Sequence, residues 1–175
     1  MKNLKNQLFL PMMALILFVS HSMFGQGNVT LDFENSESAL QLVKNYTQSL
    51  KEGNAAKMTK LLAKDVIVYG LGKGMDSLTV KEHKEYFTNS FDTYQHELSG
   101  ELYLPVKVTE NWNAGEWVLS WGTNTLTRKK NGKKSTVPYH SASLVEDGKI
   151  IRIYFYYDLL NILETQGYTI VSPGK

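Results

Sequence analysis

Asn131-Gly132 in RKKNGKK and Asp147-Gly148 in VEDGKI divide the stretch from Glu116 to Asp158 into three consecutive β-strands. Both dipeptides suit two-residue hairpin turns in which each central residue takes a positive φ, and β-compatible residues flank each. Counting outward sets a register. Thr123 then faces His140, Trp121 faces Ala142 and Leu119 faces Leu144. From the second turn, Leu144 faces Ile151, Ala142 faces Ile153 and His140 faces Phe155. Side chains alternate across a sheet, so the pairing sorts the strands into two surfaces. One holds Trp117, Leu119, Trp121, His140, Ala142, Leu144, Ile153, Phe155 and Tyr157; the other holds Ser120, Ser141, Ser143, Tyr139, Arg152, Tyr154 and Tyr156. The first surface is the more apolar, so it is the expected core face. His140 is the odd residue on it.

The beginning of the chain has a different character. Lys2 and Lys5 precede an apolar run from Leu8 to Val19, and small or polar residues follow in HSMFGQ. This is the layout of a secretory leader, too short for a comfortable membrane span. A leader over residues 1–25 is expected, with cleavage after Gly25 or Ser22, and a secreted or periplasmic address. Residues 26–35 form a lead-in and 36–170 a single domain. The chain has no cysteine, so its core alone must hold it together. Its 19 basic and 17 acidic residues include Lys2 and Lys5 of the leader, which leaves the mature chain formally neutral. That balance does not suggest nucleic acid or an anionic membrane as a partner.

Within the domain, Ala39, Leu40, Val43, Tyr46, Thr47 and Leu50 recur at helical spacing behind Ser36, and Gly53 ends the pattern. Asn54 caps a short second helix with Met58, Leu61 and Leu62 on its apolar side. VIVY then reads as a strand ending at Tyr69. Gly70, Gly72 and Gly74 follow, but no Lys-Ser or Lys-Thr succeeds them, so they do not make a phosphate loop. Thr79 to Glu82 is a capping box, and it opens a third helix with His83, Tyr86, Phe87, Ser90, Phe91 and Tyr94 on one stripe. A strand with Leu102, Leu104, Val106 and Val108 inward leads to the meander, and Pro105 fits it best to a sheet edge or a bulge. A short helix, LLNILETQ, closes at Gly167.

Three helices, a threaded strand, a long antiparallel meander and a closing helix make an α+β fold. LLAKDVIVYG after two helices, DGKIIRIYFYYD in the last strand and LLNILETQG behind it resemble the nuclear transport factor 2-like superfamily, which includes SnoaL-like and ketosteroid isomerase-like proteins. The resemblance spans about Ser36 to Gly167. It implies a cone-shaped, cystatin-like domain with a pocket between curved sheet and helices. Isomerases, polyketide cyclases, dehydratases, epoxide hydrolases and purely binding proteins share that fold, so the site residues must decide the chemistry.

His140 is the first candidate: an imidazole in an apolar pocket is a base or hydrogen-bond donor, or else a core histidine with its hydrogen bonds satisfied. Asp158 matches the aspartate that ends the last strand in SnoaL-like cyclases, where it resembles a general acid/base; its place just before LLNILETQ equally makes it a helix cap. Tyr46 and Tyr69 are placed to aim phenols into the cavity, and His83 lies on the same apolar side. Steroid-type isomerisation is not supported, because VIVYG puts apolar residues where the resemblance would need a carboxylate base, and Asp65 comes too early. Trp117, Trp121, Phe155 and Tyr157 are core or cavity wall. The histidines show no metal-ligand spacing, and no cofactor is indicated. The cations at the first hairpin tip read as a solvated end that resists edge pairing. The other sheet surface, with Tyr139, Arg152, Tyr154 and Tyr156, is where the resemblance implies a homodimer.

Two readings follow. In one, the exported domain binds a small apolar or aromatic molecule and moves a proton in an isomerase-, cyclase- or dehydratase-type reaction, with His140 assisted by Asp158 and Tyr46. In the other, it is a non-catalytic ligand-binding or protein-association module.

Overall fold

The computed structural model describes residues 29–72, 76–169 and 171. The expected leader and Gly74 lie outside them. Among the described residues no helix is long and apolar enough to cross a membrane.

A two-residue strand β1 (Val29–Thr30) precedes helix α1 (Ser36–Lys51), helix α2 (Ala55–Lys60) and strand β2 (Leu62–Tyr69). Helix α3 (Val80–Thr93) runs directly into strand β3 (Tyr94–Val108), and β4 (Gly115–Arg128), β5 (Lys134–Glu146), β6 (Lys149–Tyr157) and helix α4 (Leu159–Gln166) complete the chain. The sheet order is β1-β3-β4-β5-β6-β2, antiparallel except where β2 joins β6 in parallel. Pro105 is tolerated because β1 covers only Lys107 and Val108 of β3, leaving the rest of that side an edge.

The helix boundaries follow local chemistry. Asn54 accepts from the Lys57 amide at 2.8 Å, and Thr79 and Glu82 bond reciprocally around the start of α3. Helix α1 starts at Ser36 itself, with Asn35 in the cap position and making no side-chain cap. Apolar stripes then bury Ala39, Val43 and Tyr46 of α1, Met58 of α2 and Phe87 and Phe91 of α3 against one face of the sheet. Val118, Val145, Ile150 and Ile153 are the sheet's contribution to that core.

This identifies the helix-facing surface, and over β4 and β5 it is the opposite of the expected one. The pairing departs from the simple register at both hairpins, and the second departure explains the difference. At the first hairpin the turn takes two more residues from β4 and none from β5: Arg128 N–H donates to the Lys133 carbonyl at 2.8 Å, and Trp121 pairs with His140 rather than Ala142. A two-residue turn would have set Lys130 opposite Lys133 and Lys129 opposite Lys134, two unfavourable like-charge pairs, where the observed register sets only one, Arg128 opposite Lys133. That shift keeps every side chain on its face.

The second hairpin turns at Asp147 and Gly148 as expected, with φ of 47° and 69°. Between Leu144 and Val145, however, the β5–β6 pairing slips by one, so that Val145 pairs with Ile150 but Leu144 with Arg152. One extra residue reverses alternation beyond it. Ile150 and Ile153 thereby both point at the helices, each fully buried. His140 now pairs with Tyr156, and Tyr154 and Tyr156 share its surface, whereas Phe155 and Tyr157 face the helices. A matching slip in β3, between Ser99 and Leu102, leaves Leu102, Leu104, Val106 and Val108 on the outer surface rather than inward.

The helix-facing side of β4 and β5 is lined by small residues at its centre: Ser120, Gly122, Ser141 and Ser143. Ser120 and Ser141 satisfy each other through a 2.7 Å hydroxyl pair. Small side chains there create room between sheet and helices, which is why apolarity alone pointed to the wrong face.

Candidate functional site

The room is a cavity of about 230 Å³ between α1, α3, α4 and the inner surface of the sheet. Tyr46 and Leu50 reach it from α1, Tyr86, Phe87 and Ser90 from α3, and Ile162 and Leu163 from α4. The sheet supplies His96, Leu98, Asn124, Leu126, Val137, Tyr139, Phe155 and Tyr157. Among the described residues, none that lines it carries a carboxylate, an ammonium or a guanidinium group.

Several of the polar groups in and behind its wall are held in pairs. Tyr46 Oη and His83 Nε2 share a buried hydrogen bond of 2.7 Å, and Tyr86 and Tyr157 hydroxyls meet at 3.3 Å. Burial lowers the His83 pKa to about 4 and pushes the phenols of Tyr46 and Tyr86 up, so all three are neutral at neutral pH. His96, on β3, is buried and likewise lowered to about 4. The Asn124 side-chain amide donates to His96 Nδ1 at 3.1 Å, so that nitrogen carries no proton. The proton therefore sits on Nε2, which donates to Ser90 Oγ at 2.9 Å. Both ring nitrogens are thus engaged.

Of the residues anticipated from sequence, Tyr46, Phe155 and Tyr157 line this cavity. His83 stands behind Tyr46, fully buried among apolar side chains rather than at the wall. His140, Trp117, Trp121 and Tyr69 are on the outer surface. There His140 is stacked between Trp121 and Tyr156 at centroid distances of 4.8 and 5.7 Å, and its Nδ1 donates to the Ser120 carbonyl at 3.0 Å. Tyr69 stacks on Tyr154 at 5.0 Å, and the Trp117 indole donates to the Asn113 carbonyl at 2.8 Å. Tyr139, expected on the outer surface with Arg152, Tyr154 and Tyr156, instead points inward.

Asp158 caps α4, accepting from the Asn161 amide at 2.9 Å, and it is exposed outside the cavity lining. Asp158→Ala is expected to cost about 1 kcal/mol of stability in urea melts and to leave ligand affinity unchanged. A loss of affinity at unchanged stability would contradict the capping role.

His96, Asn124, Ser90 and Tyr139 were not anticipated at the site. The alternation of Tyr94, His96 and Leu98 was the available signal, but it lies where α3 passes into β3 without an intervening turn. Glu101 also escaped notice: the β3 slip brings it inward, where it bonds Lys51 and the Tyr103 hydroxyl.

No family model and no curated protein sequence matches the chain. Solved structures do. A candidate polyketide cyclase from Xanthomonas campestris pv. campestris superposes with a TM-score of 0.63 at 21% identity, covering 75% of this chain and 98% of that one. An LEH-like epoxide hydrolase of M. tuberculosis gives 0.58 at 14% identity, over 75% and 91% of the two chains. A nuclear transport factor 2-like protein from Burkholderia xenovorans gives 0.57 at 15%, over 78% and 98%.

Proposed function

We propose that this chain, whose fold is that of the nuclear transport factor 2-like proteins, binds a small, uncharged, mostly apolar molecule in its cone and does not turn it over. The observation that carries this reading is the cavity itself: about 230 Å³, walled mainly by apolar and aromatic groups, with its histidine, His96, held neutral and no carboxylate, ammonium or guanidinium among its described lining residues. An ion would have to leave water for a wall that offers it no countercharge. An apolar molecule gains by leaving water.

Proton transfer needs a group that can take or give a proton within reach of the ligand. His140 and Asp158, the sequence candidates, stand outside the cavity, and His96 already uses both nitrogens. The geometry therefore favours capture over conversion.

The outer surface supports a second copy as partner. Trp121, His140, Tyr156, Tyr154, Leu119 and Leu102 lie there together, and Tyr156 and Leu102 are 57% and 60% exposed. An apolar, aromatic sheet face of this kind marks an association surface. Export rests on the leader pattern of residues 1–25.

Native mass spectrometry of protein purified from its own host tests these points together. The expected spectrum is a leaderless dimer carrying one small molecule per chain. A bare polypeptide mass, in conditions where a ligand added deliberately stays bound, would sink the binding reading. A monomer would sink only the association.

A further inference from the structure

Asn124 Oδ1 and Tyr139 Oη are buried atoms without a hydrogen-bond partner. Others among the described residues, such as His83 Nδ1 and Arg152 Nε, belong to side chains that do not line the cavity; these two belong to side chains that do. Leaving such a group unmatched is costly, so its retention calls for an explanation.

Each atom is aimed by its surroundings. The Asn124 amide nitrogen is spent on His96 Nδ1, and His96 is fixed by Ser90, so the oxygen is the end left over. Tyr139 lies across Gly122 of the neighbouring strand: a Cβ there would stand 2.8 Å from its Cε1 and 2.9 Å from its hydroxyl. Glycine alone lets the ring lie so low. Asn124 pairs with Val137 and Gly122 with Tyr139, so the two polar atoms stand on adjacent strands and on the same inner surface. One is a pure acceptor. The other has a proton to give and lone pairs to offer.

We infer that these two atoms read the ligand's polar group, and that the ligand is an uncharged apolar ring system bearing a hydroxyl. This rests on the binding reading above and specifies its chemistry. A hydroxyl donates to Asn124 Oδ1 and accepts from Tyr139. A ketone or ether accepts from Tyr139 alone and leaves Asn124 unmatched. A hydrocarbon leaves both unmatched, and a carboxylate sets its charge against the amide oxygen. Sites built to hydrogen-bond a hydroxyl reject analogues lacking it more strongly than apolar pockets discriminate by size.

Calorimetric titration with naphthol, methoxynaphthalene, methylnaphthalene and naphthoate, all substituted at the same ring position, tests this on the unmodified protein. Naphthol is expected to bind about tenfold or more tighter than methylnaphthalene, methoxynaphthalene more weakly than naphthol, and naphthoate not measurably. Asn124→Leu should erase the difference between naphthol and methoxynaphthalene. Tyr139→Phe should erase that between methoxynaphthalene and methylnaphthalene. Equal affinities for naphthol and methylnaphthalene on the unmodified protein overturn the inference and leave the binding reading standing. If none of the uncharged probes binds, both fail.

Discussion

Taking the protein from pH 6.5 to pH 4 is expected to strip away much of its stability, because two buried histidines, His83 and His96, resist protonation until about pH 4 in the folded state. In the unfolded chain both rings titrate near their ordinary 6.5. Across that window the unfolded state therefore binds more protons than the folded one, and stability must fall as pH falls. Well above pH 6.5 both rings are neutral in either state and neither contributes a slope. Each shift corresponds to about 3 kcal/mol, which for the pair is a large share of the roughly 5–15 kcal/mol that hold a domain together. The measurement is a series of urea melts between neutral pH and pH 4. The expected slope reaches about 2.7 kcal/mol per pH unit while both rings titrate, and His96→Gln should halve it. A flat profile across the window would mean that the rings accept protons in place, which their burial at 0% and 8% exposure argues against. Ligand capture should fail in the same range, since His96 holds Asn124 only while its Nδ1 is bare.

Gly70→Ala is expected to be the most damaging conservative change in the chain. Gly70 sits just past the end of β2 with φ of 86°, and an added Cβ would stand 2.0 Å from the Phe155 carbonyl oxygen and 3.0 Å from its carbon. The obstruction is the backbone of β6, which cannot rotate away as a side-chain tip would. A left-handed alanine costs about 1 kcal/mol or more by itself, and separating the two strands raises the expected total to about 3 kcal/mol or beyond. Phe155 lines the cavity, so the displacement should also weaken ligand binding. Gly72→Ala supplies the control: its φ is 91°, but nothing lies within 4 Å of the added carbon. Only the backbone strain of about 1 kcal/mol remains there. Thermal melts of the two variants should differ widely, and similar melting temperatures would show that β2 and β6 are not packed as described.

These two glycines also show where local reading stops. The sequence marks a glycine-rich connection after Tyr69 and excludes a phosphate loop, but both glycines look alike there. Only the parallel approach of β6 to β2 separates them. The same holds for the site. Tyr46 follows from helical spacing, and Phe155 and Tyr157 from alternation in the last strand. His96, Asn124 and Tyr139 depend on which side of β3, β4 and β5 meets the helices, and on hydrogen bonds between residues as far apart as His96 and Asn124.

By itself the sequence determined the element order from α1 onward, the helix caps at Asn54 and Thr79, the Asp147-Gly148 turn, and the α+β layout. Each is written in a few adjacent residues, where spacing and capping chemistry act directly. The tertiary structure decided the orientation of the meander, because alternation has a period of two and carries no absolute sign. One slipped residue near Leu144 reverses every side chain beyond it along β6. That slip is favoured by burying Ile150 and Ile153 together under the helices, a benefit that exists only once sheet and helices have met.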